Sequence, residues 1–295
     1  MKIVFVHGRS QQHKDPITLA KQWENALLKG FINIGSPYTG KLDFIFPYYG
    51  DALFDAVEKA STDNFHELVS KGASAAGPDA QEQEFLWQVI REMALENGIT
   101  EEQIAHEANG DVDIKGVQNW PAILAALRLL DKIKGAGATM IELITRDVWY
   151  YLTRKSIRLK VNKIVDLELP SDDECIVIAH SLGTIVAYNL LMSRQPVNNV
   201  KAFITLGSPL GIKAIYDRLP SDVSPRKAPP VIGQWDNLRD ARDTVALYEI
   251  GKGIFGGAPT VQNNSEVING SDNRHGIVEY LQDPRVAALI RKLLP

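Results

Sequence analysis

The stretch Ile176-Val177-Ile178-Ala179-His180-Ser181-Leu182-Gly183-Thr184 decides how this chain is read. An apolar, β-branched run stops at a serine, and a glycine follows two residues later. Beyond it Ile185, Val186, Leu190 and Leu191 recur at helical spacing. The pattern predicts a buried strand, a very tight turn and a helix, with a hydroxyl at the apex. Such a turn lifts the Ser181 side chain clear of the sheet and aims the first free N–H groups of the helix at whatever reacts there. The full elbow pattern is G-x-S-x-G. Here Ala179 takes the first position and is small enough for a crowded turn. An ordinary strand-to-helix corner is the plain alternative.

Working outward, further strands are expected at 2–6, 42–46, 200–206, 231–238 and 266–269, with the elbow strand at 175–179. Helices separate them. Asp15-Pro16 starts one that Gly30 should stop, and Asp283-Pro284 starts the last. Asn97-Gly98 ends a helix, and Thr100 with Gln103 reads as a capping box for the next. Strands alternating with helices imply an α/β fold: a mostly parallel sheet covered by helices on both faces, with ligands outside the carboxyl ends of the strands. Residues 51–172 break the rhythm. Helical stripes follow one another there, Trp120, Ile123, Leu124, Leu127, Leu130 and Ile133 forming one and Ile141, Ile144, Val148 and Leu152 another. The expectation is a single domain over 1–295 with a helical insertion at 51–172, part of it a lid or cap over the carboxyl edge. Residues 221–230, rich in proline, read as a surface loop.

Bulk properties narrow the function class. The chain has 295 residues, 45% hydrophobic and 23% charged, which suits an ordinary globular protein. A net charge of −4 supplies no overall field for nucleic acid. The single cysteine, Cys175, has no internal disulfide partner and sits on the elbow strand as a small core filler. No apolar run is long enough to span a bilayer, and the N-terminus enters a strand without a small-residue cleavage site, so a cytoplasmic location is expected.

A serine hydroxyl needs a base to remove its proton during attack, and a carboxylate to hold that base in the right tautomer. Six histidines are available. His13, His66 and His106 lie upstream among loops and helices and read as structural. His7 belongs to another motif, and His180 sits on the elbow backbone, where its ring is expected to point elsewhere. His275 lies in a polar loop after the last expected strand, the place from which loops reach back over the carboxyl edge. For the acid, residues 235–246 offer Asp236, Asp240 and Asp243. Asp236 falls within the expected strand. Asp240 ends it and Asp243 lies in the loop beyond. Asp243 is favoured because a triad acid usually sits on that loop, Asp240 stays as the alternative, and the unused one is expected to bond loop amides.

Attack on a carbonyl places negative charge on oxygen, which preorganised N–H donors must meet. The Leu182 amide, just after the serine, is one candidate. The loop His7-Gly8-Arg9-Ser10 supplies another, with Gly8 permitting close backbone approach and Arg9 as the nominated amide. A mononucleotide phosphate loop is the rival reading of His7-Gly8. It is weak, since neither G-x-G-x-x-G nor G-x-x-x-x-G-K-[ST] occurs.

Taken together, these motifs resemble the α/β-hydrolase superfamily, in particular its lipase- and esterase-like branch. The resemblance rests on His7-Gly8, the Ala179–Gly183 elbow, the Gly207-Ser208-Pro209-Leu210-Gly211 turn, the Asp243-Thr244-Val245 loop and the late His275. It implies Ser181 as nucleophile, Asp243 as acid, His275 as base and amides near Gly8 and Leu182 as oxyanion hole. Ala179 departs from the elbow glycine, and the family's first edge strands are missing, so the sheet should be reduced at its N-terminal edge.

The expected activity is hydrolysis of a carboxylic ester, lipid-like or with a small acyl group, without metal or organic cofactor. A catalytically silent binding or signalling module on the same fold is the alternative from another class. Tyr49 either lines the pocket, with His7 and His180, or packs between sheet and helices. Residues 154–163 carry five positive charges and no acid. With Ile157, Val161 and Ile164 they suggest peripheral contact with an anionic membrane, the bland reading being a helix with a solvated basic face. No histidine or carboxylate cluster has metal-ligand spacing.

Overall fold

The computed structural model describes residues 1–70, 80–108, 120–134, 138–194, 199–220, 226–251, 253–270 and 273–295. Its strands are β1 (Lys2–Val6), β2 (Asp43–Ile45), β3 (Cys175–His180), β4 (Val200–Leu206), β5 (Arg226–Lys227), β6 (Trp235–Leu238), β7 (Phe255–Gly256) and β8 (Val261–Asn264). Six of them form one sheet in the order β2-β1-β3-β4-β6-β8, each pair parallel; β5 and β7 make a small separate ladder.

Helices cover both faces. Alternation along β1 shows how: Ile3 and Phe5 point to one face, Val4 and Val6 to the other, and all four are fully buried. A strand buried on both sides must be apolar at every position, which is why β1 and β3 read as continuous runs. The Ile3/Phe5 face packs against α1 (Pro16–Asn33), α10 (Ile277–Gln282) and α11 (Pro284–Leu293) through Trp23, Phe31, Tyr280 and Ile290. The other face meets α2 (Gly50–Ser70), α3 (Ala80–Glu96), α4 (Glu101–Glu107), α5 (Trp120–Lys134), α6 (Ala138–Thr153), α7 (Lys155–Glu168), α8 (Leu182–Ser193) and the short α9 (Lys213–Tyr216), in one continuous apolar cluster. Each large side chain buried this way contributes about 1.5–3 kcal/mol.

Several expectations hold locally. Asp15 and Asp283 cap α1 and α11, each followed by proline, and the Thr100/Gln103 capping box closes α4 at its start. Among the described residues, six helices, α2 to α7, lie between β2 and β3. The last of these, α7, packs on α2, α6 and α8 and leads directly into β3.

Other expectations are corrected. Helix α1 runs through Gly30 to Asn33. Gly30 is there for spacing, since a Cβ would meet the Leu281 carbonyl oxygen at 2.5 Å where α1 crosses α10. The sixth strand of the sheet is β8 at Val261–Asn264, upstream of the expected 266–269. Its polar side chains hide it: Asn263 accepts from Asn237 Nδ2 at 2.9 Å and ties both backbone groups of Ile250. Of 266–269, Glu266 makes an isolated antiparallel bridge to Asp240. The expected 231–238 strand shortens to β6, with Ile232 bridging Val200. On α7, Ile157 and Val161 are buried in the core while Lys155, Lys160 and Lys163 stay exposed, so the membrane reading loses two of its three apolar contacts. No helix among the described residues is long and apolar enough to cross a membrane. The side chains of His66 and Ile133, residues 221–225 of the proline-rich loop, and Ser271 and Asp272 beside His275 lie outside the described residues.

Candidate active site

The chain leaves β1 for β2 on one side and, after the helices, returns at β3 on the other. Strand order therefore reverses between β1 and β3, and the crevice at their carboxyl ends is where a parallel sheet offers a ligand site. His7-Gly8-Arg9 follows β1 there and Ser181 follows β3.

Ser181 has φ 55° and ψ −131°, a backbone conformation that L-residues rarely adopt, and it precedes the first residue of α8, Leu182. The turn fits because two glycines leave room. A Cβ on Gly183 would meet the carbonyl oxygens of Val6 and His7 at 2.3 and 2.4 Å, and one on Gly8 would meet Ser181 Cβ at 2.9 Å. The 7–10 loop and the elbow therefore touch backbone to backbone. Thr184 braces the turn by donating to the Ser181 carbonyl at 2.7 Å, and Ser208 donates to Thr184 Oγ1 at 2.8 Å. Ser208, which also accepts from the Leu210 N–H, thus serves the turn structurally. The Ser181 hydroxyl is buried and has no hydrogen-bond partner among the described residues.

His275 Nδ1 bonds Asp243 Oδ2 at 2.8 Å, while its buried Nε2 has no partner among the described residues. Ser181 and His275 line the same cavity of about 410 Å³, with Gly8, Arg9, Trp23, Ile144 and His180 among the other walls. A larger cleft of about 870 Å³ between α3 and α9 contains none of these groups. We therefore take the smaller one as the candidate site, on its chemistry.

The structure separates the two aspartates. Asp243 is fully buried and accepts from His275, from the Tyr280 hydroxyl at 2.8 Å and from the Val245 N–H at 2.9 Å. Burial pushes its carboxyl up, but the charge and hydrogen bond of His275, with the Val245 and Tyr280 donors, outweigh that and hold it below the usual carboxylate range. Asp240 instead accepts from the Arg242 N–H and guanidinium and from the Asn269 N–H at 2.8 Å. It clamps two loops together, the structural role expected of the unused acid.

The remaining candidates divide. His7 is fully buried and outside the cavity wall. Its Nδ1–H donates to the Gly8 carbonyl at 2.6 Å and its Nε2 accepts from the Tyr49 N–H at 3.1 Å, which fixes the neutral tautomer. Burial lowers its pKa to about 4. Tyr49 is also buried, stacked on His7 at 4.0 Å and donating to the His7 carbonyl; it packs behind the loop and does not line the cavity. For Tyr49 this is the packing alternative, and both side chains brace the 7–10 loop from beneath. His180 does line the cavity, and its ring faces His275 with centroids 4.6 Å apart, against the expectation that it point away.

The roles of three contributors escaped the sequence reading. Tyr280 donates to Asp243 and accepts from the Asp240 N–H at 3.0 Å, linking the two acids. Gly207, at φ 57°, gives the Asp–His pair room, since a Cβ would lie 3.1 Å from Asp243 Oδ2. The Arg9 side chain, mostly buried, pairs through Nε with Asp147 of α6 at 2.6 Å. Gly207 alone had a sequence signal, being a glycine directly after an apolar strand. Among the described residues, no group of three or more histidine, cysteine or carboxylate side chains is arranged to hold a metal ion.

No family model, curated protein or solved structure matches this chain. The candidate site stands on its own geometry.

Proposed function

We propose that the protein is a serine hydrolase of the α/β-hydrolase type that cleaves a carboxylic ester through an acyl-enzyme on Ser181. One observation carries the reading: on a strained backbone, a buried serine hydroxyl with no partner among the described residues shares a cavity with a histidine whose outer nitrogen likewise has none there and whose inner nitrogen is held by a buried carboxylate. In this scheme Ser181 Oγ attacks the ester carbonyl carbon as His275 Nε2 takes its proton. The amides of Leu182 and Arg9 receive the charge on oxygen. The bond to the alcohol then breaks, His275 giving the proton to the leaving oxygen. Water attacks the acyl-enzyme, losing its proton to His275, and the acid leaves as the proton returns to Ser181. Asp243 remains ionised and orients His275 throughout. Helix α6, which contributes Ile144 to the cavity wall and Asp147 to Arg9, is assigned as the cap. The cavity volume suits a small acyl ester, with a longer lipid chain extending outward.

The test is labelling with a fluorophosphonate probe, followed by intact mass. Wild type should take one adduct, and neither Ser181→Ala nor His275→Ala should take one at a comparable rate. A protein that binds no probe, also with a small probe and in detergent, is a silent module and the reading fails. Labelling that survives Ser181→Ala places the reactive group elsewhere.

A further inference from the structure

Resting on that reading of the site, we propose that His180 is a positioning residue for the base: it ties the backbone of His275 to the strand that carries the nucleophile. His180 ends β3, one residue before Ser181, and its Nε2 lies 2.9 Å from the carbonyl oxygen of His275, a residue 95 positions away in the chain. A carbonyl can only accept, so Nε2 carries the proton and the neutral ring leaves Nδ1 without one. Other bonds shape this loop and tie it to the acid loop, where the Asn269 N–H donates to Asp240 Oδ2, Arg242 donates to the Asn269 carbonyl and His275 Nδ1 pairs with Asp243. The His275 N–H donates to Asn273 Oδ1, the Gly276 N–H to the Asn273 carbonyl, and Asn269 Nδ2 to the Gly276 carbonyl. They give the loop its shape, whereas His180 gives it an address beside Ser181.

The choice of side chain follows from the chemistry. His275 becomes an imidazolium when it takes the serine proton, so a charged neighbour with its ring 4.6 Å away would oppose the step. A lysine or arginine donor is excluded on that ground. His180 avoids the conflict because it stays neutral. Burial, and then the charge of His275, lower its pKa to about 3, against a smaller opposing pull from Asp243. Trp23 and Tyr280 flank the ring and hold its plane, with centroids 6.2 and 6.0 Å away. The result is a donor that is planar, uncharged and locked. Displacing a base by about 1 Å costs on the order of a hundredfold in rate, so a single well-placed tie has a large lever arm.

The experiment compares His180→Phe, which keeps a ring and loses the donor, with His180→Gln, whose amide restores a donor. If either aromatic or polar change prevents folding, His180→Met serves as the donorless variant. Fluorophosphonate labelling is followed in time, so that rate constant and final occupancy are read separately, together with amide hydrogen exchange at 275–277. The expected result is a labelling rate constant lower by about 30-fold in the donorless variant at full final occupancy, recovered to within about fivefold in His180→Gln. Exchange at 275–277 should quicken by about tenfold in the donorless variant alone. A merely structural role would lower occupancy or Tm and leave the rate constant unchanged. Wild-type labelling rate in the donorless variant, or equal slowing in both variants, overturns the proposal. Should wild type take no probe, the hydrolase reading fails separately, and unchanged exchange in the donorless variant then overturns the tie itself.

Discussion

Replacing Tyr280 by phenylalanine isolates one hydroxyl that serves two masters. The ring is fully buried, and phenylalanine fills the same space beside His180 and α1. What disappears is the donor to Asp243 Oδ2 and the acceptor for the Asp240 N–H. Losing a hydrogen bond to an ionised group costs about 1.5–3 kcal/mol, and leaving a buried amide unpaired about 1–3 kcal/mol more. Because Asp243 keeps His275 and Val245, we take a net loss near the low end, about 3 kcal/mol. For 295 residues an unfolding entropy of about 2.1 cal/mol/K per residue makes this a fall in Tm of about 5 °C. The deficit should narrow in acid. The Asp243 pKa is depressed in the fold, so its stabilisation is present above the unfolded carboxylate value and lost as pH falls through the folded one, with or without Tyr280. Thermal denaturation followed by circular dichroism at pH 7 and at about pH 2, well below the unfolded carboxylate value, checks both points. The labelling rate should fall by no more than about tenfold, since the His275–Asp243 bond survives. A Tm within about 1 °C of wild type at pH 7 would refute the reasoning.

Three further outcomes are expected. Ser181→Gly should be more stable than Ser181→Ala by about 1–2 kcal/mol, because glycine tolerates φ 55° and alanine does not; equal urea midpoints would remove the argument from strain. Asp243→Asn should slow fluorophosphonate labelling by up to about ten-thousandfold, whereas Asp240→Asn should label within about threefold of wild type but melt earlier; the reverse pattern would exchange their roles. Stability should decline between pH 7 and pH 5, since His7 and His180 stay neutral in the fold while their unfolded counterparts take up protons below about 6.5. The folded pKa values are depressed, so the stabilisation is present above pH 6.5 and lost as pH falls toward 4, about 2 kcal/mol for each by pH 5. Urea denaturation across that range tests it, and His7→Gln should flatten part of the slope.

The parts of the fold that sequence made legible are those whose signal is local. β1 and β3 announce themselves because burial on both faces demands nearly unbroken apolar residues, and Asp-Pro marks two helix starts because the cap and the fixed φ act within one turn. β8 was illegible for the opposite reason. Its polar side chains are satisfied laterally by Asn237 and Ile250, which are neighbours only after folding. Gly30 misled because a glycine that ends a helix and one that admits a crossing helix look alike in a string of letters. At the site, Ser181, Asp243 and His275 followed from order and loop placement. Tyr280 and His180 did not, since a hydroxyl on an apolar helix and a histidine on a buried strand acquire their partners from 37 and 95 residues away.

The Arg9–Asp147 pair gives the helical segment a claim on the floor of the candidate site. Arg9 and its carboxylate are both mostly withdrawn from water, and Asp147 is held against a burial that pushes its carboxyl upward. A guanidinium left there without its counter-charge would cost about 3–5 kcal/mol, paid at the loop that carries the nominated oxyanion amide. The segment around α6 is therefore no interchangeable cassette. Grafting a different cap onto this sheet to alter selectivity would require the graft to bring a carboxylate to the Asp147 position, or Arg9 to be replaced in the same step.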